Sequence, residues 1–269
     1  MSATVISLIN QKGGCGKSSV CFHVGGHLAA SGLRVLLIDA DPQGSLSQGF
    51  FGSAVIESLP ADRTLAAMFE NAGLASEKLP MPTRFSQLEV IRANHWLARH
   101  NQSMPETTGL RQFALASFLE PFSGFDVILI DCPPNLYLCS WNALLASDFV
   151  LIPVPPEDFS AQGLRAVHAA VNSAIALNHR LSLLGHLITR ADSRLVIHRG
   201  YEQKLRERFG EQVLDTVIPE AAAFKVAITC RTPITSFAPR SKAAQAICNL
   251  GNEIMRRIQT YRDRIQKVG

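Results

Sequence analysis

A glycine-rich turn joining an apolar, β-prone run (residues 4–10) to a stretch with helical spacing (18–30) constrains this chain more than any other feature. It reads Lys12-Gly13-Gly14-Cys15-Gly16-Lys17-Ser18-Ser19. Glycines at such a junction let backbone N–H groups approach and wrap phosphate oxygens with no Cβ in the way. The positive end of the following helix favours the same anions. Lys17 is then within reach of the β- and γ-phosphates of a nucleotide, and the Ser18 hydroxyl is suited to Mg²⁺. The pattern departs from the usual G-x-x-x-x-G-K-S, because position 11 is Gln11 and a second lysine, Lys12, stands at the mouth of the turn. A lysine there folds back poorly onto its own phosphates. It is better placed to reach a nucleotide held by a facing subunit, which makes dimerisation part of the site.

Around that turn, short apolar runs alternate with helical stretches. Residues 34–39 (RVLLID), 125–131 (FDVILID), 149–153 (FVLIP) and 182–189 read as strands buried on both faces, with 88–92 a further strand and 213–218 (VLDTVI) the last. Helical spacing covers 64–71, 108–121, 140–146, 160–178, 195–209 and 241–267, whereas 44–64, rich in Gly, Ser and Pro, reads as loop. The alternation predicts an α/β fold: a doubly wound, mostly parallel sheet with helices on both faces, in one domain over 1–269. A hydrophobic content of 47% supplies a sizeable core and excludes a disordered chain. Six cysteines with no C-x-x-C pair exclude a disulfide scaffold and a zinc ribbon, and fit reduced thiols in a cytoplasm. The first ten residues lack the basic start of a secretory signal, and no apolar run reaches the ~18 residues of a spanning helix.

These residues resemble the ParA/MinD family of ATPases with a deviant Walker A motif, K-G-G-x-G-K-[ST], and are most similar to its short ParA/Soj branch. VLLIDADPQGS (35–45), FDVILIDCPP (125–134), SDFVLIPVPPE (147–157) and FGEQVLDTVIP (209–219) follow the family's order and spacing, so the likeness covers nearly the whole chain. The resemblance implies a P-loop NTPase fold and slow, partner-stimulated hydrolysis of ATP to ADP and phosphate with Mg²⁺. It also implies an ATP-dependent homodimer that partitions or positions DNA or another large cargo in a prokaryotic cytoplasm, on the nucleoid through non-specific DNA binding. Carried over residue by residue, it gives Lys17 the cis phosphate contact, Lys12 the trans contact, Ser18 the metal and Ser19 the α-phosphate. Asp41, in D-x-D-P-Q, matches the residue that orients the attacking water, and Asp39 the holder of the metal's water shell. Asp131 matches the Walker B aspartate, and Pro219 a wall of the adenine pocket. The implied catalytic set is Lys12, Lys17 and Asp41, with residues 12–19 and Pro219 on the nucleotide and Ser18, Asp39 and Asp131 on the metal. Capping of the next turn is the alternative role for Asp39 and Asp41.

Charge is spread unevenly. Residues 1–179 carry 10 Lys+Arg against 14 Asp+Glu, a net −4, whereas residues 180–269 carry 16 against 8, a net +8. Such asymmetry points to a polyanionic partner for the C-terminal third. Arg190, Arg194, Arg199 and Arg206 in one basic segment, and Arg256 and Arg257 in the last helix, are the candidate DNA contacts; a solvated helix face is the alternative. Glu220 and Ala223 stand where the family carries arginines, Ala221 where it carries a nucleotide-holding asparagine, and Ile228 where it carries a proline. The last helix has an apolar stripe through Ile247, Leu250, Ile254, Ile258, Tyr261, Ile265 and Val268, expected to pack on the sheet. A MinD-like membrane-surface helix is the competing reading; residues 241–269 contain no Trp or Phe, and a membrane partner is not expected. Cys15 reads as a small buried filler rather than a reactive thiol. A metabolic ATP-dependent ligase on the same fold is a further alternative, and requires a small-molecule pocket beside the γ-phosphate.

Overall fold

The computed structural model describes residues 3–70, 78–156 and 161–266. Asn71, Glu157, Ser160, Lys267 and Val268, and the side chain of Ile265, lie outside the described residues. The apolar runs become strands because every residue of them is out of water, a condition met only in a sheet covered on both faces. β1 (Thr4–Leu8), β2 (Val35–Asp39), β5 (Val127–Asp131) and β6 (Phe149–Val154) are buried throughout, and β4 (Leu88–Ile91) and β7 (Ser182–Ile188) nearly so. They pair in the order β3-β4-β2-β5-β1-β6-β7, parallel except for the two-residue edge strand β3 (Met81–Pro82). This is the predicted doubly wound sheet, with an antiparallel edge that the sequence pattern did not announce.

Helices cover both faces. On one face α1 (Lys17–Ala30) and α11 (Lys242–Gln266) pack on Ile6, Leu8, Leu37 and Leu129. On the other, α5 (Ala114–Leu119), α6 (Leu138–Ala146) and α7 (Ala161–Leu177) pack on Leu36, Ile128, Ile130, Val150 and Ile152. The stripe of α11 packs on the sheet as expected: Ile247, Leu250, Ile254 and Ile258 are all buried in the first of these cores. Among the described residues no helix is long and apolar enough to cross a membrane.

Three segments differ from expectation, each through a polar side chain that captures backbone groups. Residues 213–218 form no strand. Val213 and Pro219 make only isolated bridges to His186 and Ala191, because the N–H groups of Asp215 and Thr216 donate instead to the Glu253 carboxylate of α11, both at 2.8 Å. The expected loop at 44–64 contains α2 (Ser45–Phe51) and α3 (Ser53–Glu57). α2 starts where Asp39 Oδ2, at the end of β2, accepts from the Ser47 N–H at 2.8 Å and from its hydroxyl at 2.7 Å. The expected helix at 108–121 is a 3₁₀ turn (Gly109–Phe113) followed by α5. Asn142 intervenes at that junction, accepting from Leu115 N and donating to Arg111 O. Of the remaining helices, α4 (Ala67–Glu70) and α8 (Val196–Phe209) lie within predicted spans, and α9 (Ala222–Thr229) and α10 (Ile234–Phe237) were not foreseen.

Candidate nucleotide site

β1 sits centrally, between β5 and β6, and its connection to α1 leaves the sheet at the C-terminal ends of the strands, where open parallel sheets bind ligands. The glycine turn occupies that crevice. Gly14 and Gly16 have φ of 71° and 94°, a left-handed backbone that side chains rarely adopt, so glycine at these two positions is a conformational requirement. Asn10 anchors the turn: its Oδ1 accepts from Lys12 N, and its Nδ2 donates to Pro153 O on β6 at 2.7 Å. Lys17 is buried, and its ammonium donates to Asn10 O at 2.9 Å and Lys12 O at 3.3 Å. It is thus bonded to the loop's own carbonyls at the spot where phosphate oxygens would compete for it. Cys15 is fully buried; burial pushes its thiol up, with the neighbouring Lys17 pulling the other way. The burial of Cys15 accords with the expected small filler.

Below the turn lies an acidic floor. Asp39 and Asp131 are direct neighbours across β2 and β5, and both are fully buried. Burial raises Asp39 to about 7 against the lowering effect of its Ser47 bonds. Asp131 is held well above the carboxylate range by burial and then by the charge of Asp39. Ser18 and Lys17 lower it in part, yet neither of its oxygens has a formed hydrogen bond. A buried carboxylate with both oxygens unpartnered is costly. A hard divalent cation beside the Ser18 hydroxyl would supply what is missing, so the donor set fits Mg²⁺. Asp41 is raised by burial, and its Oδ1 accepts from Gln43 N at 2.9 Å. Asp39 therefore does cap α2 and Asp41 does close a turn; these contacts accompany their place at the site.

A cavity of 530 Å³ opens over the loop and brings Gly13–Ser19, Asp41 and Pro219 together. Thr189, Arg190, Phe224 and Lys225 complete its walls. Neither Thr189 nor Lys225 stood out in the sequence; the position of Thr189 just past β7, at the ligand-binding ends of the strands, was the available signal. Lys12, half-buried, is outside the lining of this cavity, which begins at Gly13, and among the described residues its ammonium makes no hydrogen bond or ion pair.

The candidate DNA arginines divide. Arg190 lies at the phosphate loop, donating to Gly14 O at 3.0 Å and to Glu220 at 2.8 Å, and not on a basic face. Arg206 and Arg257 hold backbone carbonyls of 211–214, and Arg194 pairs with Asp192. Arg199 and Arg256, from the two separate basic segments, meet along a groove of 880 Å³ beside α11. A second groove of 630 Å³ adjoins it through Asp215 and Arg256, and is lined by Arg206, Arg257 and Arg264. Acids interleave with these cations: Asp192, Glu202, Asp215 and Glu253 line the first groove.

A left-handed glycine turn between the central parallel strand and a helix, a buried lysine within it and paired buried aspartates beneath it define a P-loop NTPase of the deviant Walker A type. Comparison with known proteins agrees. A model of the AAA domain family matches residues 3–183. The chromosome-partitioning ATPase Soj of Thermus thermophilus is 34% identical over 94% of this chain and 96% of its own. Cobyrinic acid a,c-diamide synthase of Mycobacterium smegmatis, solved with ADP and magnesium, superposes with a TM-score of 0.79 at 26% identity over 96% of each chain. A variant of Cyanothece McdA in complex with ATP superposes with a TM-score of 0.80 at 22% identity, over 95% of this chain and 97% of its own, a likeness of fold. The chain belongs to the ParA/Soj branch of the ParA/MinD family of ATPases.

Proposed function

We propose that the protein is an ATP-dependent dimerising switch that partitions or positions DNA or another large cargo, hydrolysing ATP slowly until a partner protein stimulates it. The observation that carries this reading is the floor of the site: Asp131, fully buried with two unpartnered oxygens, beside Ser18 and Lys17 of a phosphate loop. Such a floor is built for Mg²⁺–nucleotide. Ser18, Asp131 and Asp39 would hold the cation, directly or through its water. Mg²⁺ neutralises charge on the β- and γ-phosphate oxygens when bound. Lys17 exchanges its bonds to Asn10 O and Lys12 O for phosphate oxygens. Asp41, on the cavity wall and near enough to feel Lys17, orients the attacking water. Pro219 and Phe224 cover the base.

Lys12 supplies the step that needs a second copy. Its ammonium is unengaged among the described residues, next to the loop in sequence, and a cation brought from a facing subunit would neutralise charge on the transferring phosphoryl group, a role worth ~10³–10⁵ in rate elsewhere. ATP then bridges two copies and ADP does not, so nucleotide state sets oligomeric state. The trench along α11 is the DNA surface in this reading. Two sequence-distant basic segments converge there, and a two-fold dimer would present it twice, which multiplies phosphate contacts. In this reading the protein acts on the nucleoid of a prokaryotic cytoplasm, as the family resemblance implies.

DNA pelleting with ATP and with ADP tests the reading. Wild type is expected to retain DNA with ATP only, and Arg199→Glu with Arg256→Glu to lose at least tenfold of that retention without losing ATP binding. Retention equal in both nucleotides, or untouched by the reversals, contradicts it. The 26% identity to a diamide synthase keeps one second reading, ATP-dependent activation of a carboxylate. Mass analysis of products separates the two, since a switch yields only ADP and phosphate.

A further inference from the structure

We infer that Thr189 and Arg190 are positioning residues for the diphosphate of the bound nucleotide, acting through the backbone of the phosphate loop; the inference rests on the nucleotide-binding reading above. The Thr189 hydroxyl donates to Cys15 O at 2.8 Å, and Arg190 Nη1 donates to Gly14 O at 3.0 Å. Two consecutive residues at the end of β7 thereby hold two consecutive loop carbonyls from outside the loop.

The consequence follows from peptide geometry. In a planar trans peptide the N–H points opposite to the C=O of the preceding residue. Fixing Gly14 O and Cys15 O against residues 189–190 turns the N–H groups of Cys15 and Gly16 away from that segment. Successive N–H groups offered from a backbone that alternates through the left-handed region form a concave anion site. Gly14 and Gly16, at φ 71° and 94°, supply that alternation. The same glycines would let an unheld loop turn its peptides over, because glycine restricts its backbone less than any other residue. The two side-chain bonds remove that freedom before the nucleotide arrives.

Arg190 is itself fixed from a third side. Its Nε donates to Glu220 Oε2 at 2.8 Å, and its backbone is held at a left-handed φ of 55°, unusual for a residue with a side chain. Glu220 follows Pro219 in the lining of the same cavity, and Glu220 N donates to Ala191 O at 3.0 Å. One guanidinium thus ties the Gly14 carbonyl of the phosphate loop to Glu220. This gives Arg190 work in every subunit, with or without DNA.

The test is calorimetric titration of the full-length protein with ADP and with ATP in Mg²⁺, alongside steady-state ATPase kinetics and melting curves. Arg190→Ala and Thr189→Val are each expected to weaken ADP and ATP by the same factor, about 5- to 10-fold. The KM for ATP should rise by that factor while kcat stays within about twofold, because the β-phosphate is held alike in ground and transition state. Thr189→Ser keeps the hydroxyl and should restore affinity. Glu220→Gln keeps an acceptor for Arg190 and should stay near wild type. Unchanged ADP affinity in both Arg190→Ala and Thr189→Val overturns the inference. So does a loss confined to ATP, which would mark a role at the γ-phosphate, or a fall in kcat and melting temperature that Thr189→Ser does not rescue. If wild type binds neither nucleotide, the nucleotide reading itself fails and takes this inference with it.

Discussion

At the scale of single residues the site is a contest between charge and burial. Asp131 and Asp39 are kept out of water side by side, and Lys17 is the cation nearest to balancing them. Lys12→Ala leaves this floor intact, so ATP affinity should hold while turnover falls about 10³-fold or more; turnover within tenfold of wild type would remove the trans role. Asp41→Ala should bind ATP normally and hydrolyse it at least 10²-fold more slowly in single-turnover measurements; lost ATP binding would mean that Asp41 builds the pocket instead. Lys17 and Ser18 were legible from the loop itself, because a phosphate loop is a local structure written in consecutive residues, whereas Asp41, Asp131 and Pro219 were named through the family resemblance; the fold brings all five into one neighbourhood. Arg190, a candidate DNA contact in the sequence, lies instead at the phosphate loop, and nothing local reveals that its partners are Gly14 and Glu220, 176 and 30 residues away.

Among elements, the apolar strands and the α11 stripe were legible because a buried face leaves a period in the sequence. Residues 213–218 misled for the same reason: VLDTVI has the composition of a strand, and what prevents a ladder is Glu253, distant in the chain. Glu253 is nearly buried, accepts from Asp215 N, Thr216 N and Arg257, and is held below its usual range by these donors despite burial. Glu253→Ala should therefore destabilise the fold by about 3 kcal/mol, more than a surface helix position can, because it strands two backbone N–H groups and takes the counter-charge from the half-buried Arg257 guanidinium. Urea denaturation reads this directly, and a loss below about 1 kcal/mol would show that water replaces the carboxylate.

For the whole molecule, acid should act through buried imidazoles. His23 and His186 are fully buried and lowered to about 4 by burial. Each titrates near 6.5 when unfolded, so the unfolded chain takes up protons first as pH falls. Their contribution to stability is complete above about 6.5 and is lost between 6.5 and 4, up to about 3 kcal/mol each. Asp39 opposes them, since its raised value makes acidification from 7 toward 4 relieve its burial. His186→Gln should flatten the acid limb of a stability–pH profile; an unchanged limb would place the acid sensitivity elsewhere. The oligomeric switch belongs to this scale too, and two defective variants test it most directly. In a mixed dimer of Lys12→Ala with Asp41→Ala, one site keeps its own Asp41 and receives Lys12 from the other copy. Mixing the two inactive proteins with Mg²⁺–ATP should restore hydrolysis, rising with total protein concentration. A mixture as inactive as its parts would show that Lys12 does not act across two copies.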